Sequence, residues 1–216
     1  MRKARSQPGI LFWLVWVLAT IVGWTARRLL WQFPELANIG VFSLATFFAN
    51  GLLIGSLHWL LLRRYLQMHG WRVWIAGIGW VALSGIGWLL AWSLNIVFPT
   101  LYIFVANAGF SLLTITLLAG GIGSMLSGTL QALILRRSAR RVWLWIPINI
   151  VSMVAAMFAH QNIPILQPTL AFAVGGLVFG ALSGTGLLYL LSQSNSVPDP
   201  ISMPESKQRH ATPDFR

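Results

Sequence analysis

From Leu36 to Pro198 the chain contains no aspartate and no glutamate. Over that length it is a succession of apolar runs, interrupted by short clusters of arginine. A soluble domain carries roughly 25% charged residues. Here only 9% of 216 residues are charged and 56% are hydrophobic. So few charges cannot coat a globule in water. They are sufficient if lipid is the solvent. A bilayer core about 30 Å thick needs about 20 apolar residues of helix to cross it. Six runs meet that length, at roughly 9–26, 39–62, 73–97, 109–135, 142–159 and 169–192. Backbone polar groups cannot be left open in lipid, and no strand-like alternation is visible, so the runs read as helices. The expected fold is an all-α integral membrane protein with six transmembrane helices.

The flanks divide the chain further. Residues 1–8 form a basic N-terminus, and the helical bundle occupies 9–192. Residues 193–216 are rich in Ser and Pro with isolated apolar side chains, which predicts a disordered tail. The start of the chain has the basic-then-apolar order of a signal peptide but no small-x-small cleavage site, so it reads as an uncleaved first span. The stretch "PTLYIFVAN" after Phe98 is expected to be interfacial or bent, with the next span starting near Gly109.

Charge placement gives an expected orientation. The net charge is +11, which by itself would fit a nucleic-acid binder. However, the arginines stand at the ends of apolar runs. Arg63, Arg64 and Arg72 lie between spans two and three; Arg136, Arg137, Arg140 and Arg141 lie between four and five. Every second connection is basic, and the positive-inside rule then puts both termini in the cytoplasm. Arg27 and Arg28 dissent, and can snorkel at the opposite interface. This reading excludes nucleic acid as a partner and makes the lipid bilayer one. Of the twelve tryptophans, all but Trp80, which lies deeper, fall toward the ends of the spans, which predicts aromatic belts at the two membrane interfaces.

The chain writes one phrase twice. "GSLHWLLLRR" begins at Gly55 and "GTLQALILRR" at Gly128; "WVLATIVGW" begins at Trp16 and "WVALSGIGW" at Trp80. A fainter copy, "GALSGTGLLYLL", begins at Gly180. Two spans per copy return the chain to the same side, so the copies read as three parallel-repeat hairpins in a pseudo-threefold arrangement. Small residues recur four apart in the even helices, at Gly51 and Gly55, Ser124 and Gly128, Gly180 and Gly184. Such pairs let backbones approach closely, within the bundle or in a homo-oligomer.

With these motifs the chain resembles a group of multi-pass bacterial membrane proteins, cyanobacterial in type. Their helices run from Gly-x-x-x-Gly through Gln to a Leu-Arg end, followed by a Trp-rich helix with Gly-Trp. The resemblance implies the topology, and residence in a bacterial cytoplasmic membrane or a thylakoid membrane; it implies no activity. The sequence departs from the pattern at His58, where Gln is usual, and at Asn149, which stands where Trp80 stands in the previous copy.

Few residues bear chemistry. Ionisable groups inside a membrane are functional pointers. His58 is one such group, on the face of Gly51 and Gly55. It reads as polar glue between helices, with a ligand or proton-relay role as the alternative. Gln131 and Asn149 complete the candidate polar site; Asn50, Asn107, Thr114, Thr116 and Ser152 are further polar groups in apolar context. Pro147 is expected to loosen the fifth helix near Asn149. Ser183 has no evident base. There is no cysteine, and no cofactor or metal is expected. The sequence therefore favours a non-enzymatic scaffold, assembly or accessory subunit, with a membrane-protein partner or a homo-oligomer. A small-solute transporter or ligand-binding subunit is the second reading, and pigment or quinone binding the third.

Overall fold

The computed structural model describes residues 8–30, 40–66, 68, 70–107, 112–136, 139, 141–163 and 167–194. The tail, most of the basic N-terminus, Glu35, Arg137 and Arg140 lie outside them, as do the side chains of Arg27, Arg28, Trp92 and Asn107. Among the described residues the fold is all-helical. The elements are α1 (Ile10–Leu30), α2 (Gly40–Leu62), α3 (Trp71–Asn107), α4 (Leu112–Leu135), a 3-10 turn (Val142–Leu144), α5 (Trp145–Gln161) and α6 (Pro168–Ser194). Five contain stretches long and apolar enough to cross a membrane, and the described part of α1, Ile10–Ala26, is a shorter apolar helix. The chain is a helical protein of multi-pass membrane type.

Each helix packs against its neighbours in sequence, and α6 returns to α1, so the six close into a ring. Two buried clusters fill it. One joins Phe12, Trp16, Leu62, Trp80, Leu135, Trp145 and Leu187. The other joins Trp24, Ile54, Trp88, Met153 and Phe179. The first cluster adjoins the helix ends that bear Arg63, Arg64, Arg72, Arg136 and Arg141, all five exposed. Gly70 turns the chain from α2 into α3 with φ of 62°, a left-handed conformation that costs glycine little.

Three expectations are corrected here. The helix does not stop before "PTLYIFVAN": α3 runs on through Pro99 to Asn107, 37 residues in all. Proline removes one backbone donor, but no glycine follows to end the helix before residue 109. Pro147 does not loosen the helix near Asn149. It is the third residue of α5, in the first turn, where a backbone N–H has no intrahelical acceptor to lose. Nor are most of the described tryptophans belt residues. Trp16, Trp24, Trp59, Trp80, Trp88 and Trp145 are buried. Only Trp71, Trp74 and Trp143 among the described tryptophans are strongly exposed.

Candidate functional site: a buried ring of polar and aromatic groups

Several of the buried polar groups converge inside the ring. A cavity of about 40 Å³ lies among Trp16, His58, Trp80, Ser124, Gln131 and Asn149, with Ser84, Ser127 and Trp145 beside them. The local logic begins on the odd helices, where a tryptophan and a small polar residue stand four apart: Trp16 and Thr20, Trp80 and Ser84, Trp145 and Asn149. Four residues return a helix to the same face, so each pair projects inward together. That spacing was present in the sequence, and it is the signal that separates these tryptophans from belt residues.

Thr20 donates its hydroxyl to the Trp16 carbonyl at 2.8 Å, and a hydroxyl has one hydrogen to give. The same hydroxyl is hydrogen-bonded to His58 Nε2, also at 2.8 Å; with its hydrogen given to the carbonyl, the Nε2–H tautomer of His58 completes the pair. The His58 ring lies parallel to Trp16, with centroids 3.7 Å apart. The same arrangement recurs between α3 and α4. Ser84 donates to the Trp80 carbonyl at 2.9 Å and accepts from Gln131 Nε2 at 3.1 Å. Gln131 in turn accepts from the Trp145 indole at 3.0 Å. Ser183 donates to the Phe179 carbonyl and accepts from the Trp16 indole at 3.1 Å. Ser183 thus has a partner after all, and it is an indole donor rather than a base. The indole N–H of Trp80 and the Ser124 hydroxyl, both buried at this cavity, have no hydrogen-bond partner.

The glycines fix how closely the helices approach. A Cβ added at Gly51 would stand 2.6 Å from the Ser84 carbonyl oxygen, and one at Gly55 would stand 2.7 Å from the Ser84 Cβ. These two glycines face α3, whereas His58 faces α1, so the three do not share one packing face. Gly180 meets Val17 at 2.9 Å and Thr20 at 3.1 Å; Gly128 meets the Asn149 side chain at 3.1 Å. Gly184 lies against Trp16 and Trp13. A Cβ at Gly176 or at Gly180 would stand 2.9 Å from a Cα of α1, and one at Gly184 would stand 3.0 Å from the Trp16 ring, so Gly176 joins Gly180 and Gly184 on this close face. Asn149 is one turn from its expected place. Trp145 is a ring neighbour of Trp80, at 6.1 Å, and Asn149 packs on Gly128 as Ser84 packs on Gly55.

Asn50 is buried away from this cavity without a hydrogen-bond partner, and Ser152 donates back to the Ile148 carbonyl at 2.6 Å. Among the described residues no group of His, Asp and Glu is arranged to hold a metal ion. Comparison with protein-family models, curated proteins and solved structures finds no match to this chain.

Proposed function

We propose that the chain is a non-enzymatic, multi-pass membrane protein acting as a rigid scaffold, assembly or accessory subunit. The observation that carries this reading is the filled interior. A site of 40 Å³ has room for water, which needs about 10–15 Å³ on the same kind of measure. Ligand pockets are commonly some 300–1,000 Å³, so a solute path or a pigment pocket would require the six buried tryptophans to move apart. Under this reading the protein resides in a bacterial cytoplasmic membrane, or a thylakoid membrane, with both termini on the cytoplasmic side.

The same reading includes three hairpins related by a pseudo-threefold axis along the membrane normal. What supports it is the recurrence of contacts. Gly55 against Val81 and Ser84, Gly128 against Ile146 and Asn149, and Gly180 against Val17 and Thr20 are one contact written three times. On that register His58, Gln131 and Ser183 are equivalent, and so are the fully buried Leu62, Leu135 and Leu187.

The absence of cysteine makes the test direct. Ser124→Cys, Ser127→Cys and Ser183→Cys are treated in inside-out membrane vesicles with a membrane-impermeant thiol reagent, with Arg64→Cys as the accessible control. A scaffold leaves the three core positions unlabelled. Labelling of any of them would show a water path to the axis and favour the transporter. The partner role is tested by photo-crosslinking from Ile78, Val151 and Leu177, all exposed. A discrete protein adduct in native membranes is expected. Adducts to lipid alone from all three positions would remove the scaffold role.

A further inference from the structure

Between the basic ends of α3 and α4 a groove of about 590 Å³ opens on the outside of the ring. Ala76, Gly79, Leu83, Leu130, Leu133 and Ile134 line its length, and Trp71, Arg72 and Arg136 stand at its basic end. Gly79 keeps it open: a Cβ there would meet only the tip of Ile134, at 3.6 Å. From Trp71 to Leu83 is about 18 Å of helix at 1.5 Å per residue. One leaflet of the hydrocarbon core is about 15 Å deep, so the groove is about one leaflet long.

The charge at its end is unbalanced. Arg72 and Arg136 are both exposed, and the chain has no carboxylate between Leu36 and Pro198. Among the described residues no carboxylate is present to neutralise them. The Arg72 guanidinium lies 5.9 Å from the centre of the Trp71 ring, an aromatic neighbour of the kind that sits at headgroup level. A guanidinium binds phosphate oxygens in a two-pronged geometry that suits this position. A free phosphate would use the arginines and leave the apolar groove below them unfilled. An acyl chain fills it.

We propose that this groove binds one anionic phospholipid, with its phosphate at Arg72 and Arg136 and an acyl chain along Gly79 and Leu83. The inference rests on the membrane setting of the helices and is independent of the scaffold reading. The test uses the full chain in detergent, titrated with phosphatidylglycerol or phosphatidylcholine and read by native mass spectrometry. One phosphatidylglycerol is expected to be retained in preference to phosphatidylcholine. R72Q with R136Q should weaken phosphatidylglycerol retention about thirtyfold, as for two arginines near an anionic lipid surface. Phosphatidylcholine, whose ammonium offsets its phosphate, should lose much less, and an unchanged thermal unfolding temperature reports an intact fold. Gly79→Phe, which fills the groove without touching the arginines, should weaken retention of phosphatidylglycerol as well. Three results would each overturn the assignment: equal retention of the two lipids by the unaltered chain, an equal loss on R63Q with R64Q, and displacement of the bound lipid by inorganic phosphate.

Discussion

The buried tryptophans differ in what their N–H finds, and this gives residue-scale predictions. The Trp145 indole donates to Gln131, whereas the Trp80 indole has no partner. Trp145→Phe therefore strands a buried amide oxygen, which costs about 1–3 kcal/mol. Trp80→Phe removes a donor that was already unsatisfied, so it should cost less. Thermal unfolding in detergent should rank Trp145→Phe below Trp80→Phe, and the reverse order would contradict the hydrogen-bond assignment. His58→Gln is expected to be mild. Gln131 shows that an amide makes the same bond to the hydroxyl of the preceding helix, and the loss is the stack on Trp16, about 0.5–1.5 kcal/mol. His58→Leu should lose that stack and also the bond to Thr20, roughly a further 0.6 kcal/mol. If the two variants unfolded at the same temperature, the Thr20 bond would contribute nothing.

At the scale of elements, helix association in lipid depends on close approach, because lipid tails are as apolar as leucine. The glycine contacts then predict unequal harm. Gly51→Ala and Gly55→Ala push a methyl into the backbone or Cβ of Ser84, where overpacking typically costs about 1–3 kcal/mol. Gly128→Ala meets first a side chain, at 3.1 Å, which can yield. Melting temperatures of the three variants in one detergent should place Gly128→Ala nearest the unaltered chain. Equal losses would mean that α4 meets α5 as tightly as α2 meets α3.

For the whole molecule, a closed ring of six helices brings Arg63, Arg64, Arg72, Arg136 and Arg141 to one end. In the orientation proposed above from the positive-inside rule, that end would face the cytoplasm. Reporters fused after Arg64 and after Arg137 should report the cytoplasm. Fusions within 108–111 and 162–167 should report the opposite side; the first of these lies beyond residue 107 because α3 extends that far. A cytoplasmic signal from either of those loops would break the alternation on which the ring depends.

Composition and run length by themselves determined that the chain forms apolar helices, how many there are, and nearly where each begins and ends, except that the third runs ten residues past its expected end at 97. They did so because an unbonded backbone in lipid is too costly to permit much else. Residues 39–62 read as a span fold as Gly40–Leu62, and 169–192 as Pro168–Ser194. Which face of each helix points inward was decided only by the tertiary structure. In water a buried face is marked by contrast with a polar one. These helices are apolar on every side, so lipid and core ask for the same residues. Trp71 and Trp74 are exposed, and Trp80 and Trp88 further along the same helix are buried, with nothing in their hydrophobicity to tell them apart. What separates Trp80 is a hydroxyl four residues later that can accept a hydrogen bond from the next helix. The meaning of that spacing depends on Gln131, which is remote in sequence and adjacent only once the ring has closed.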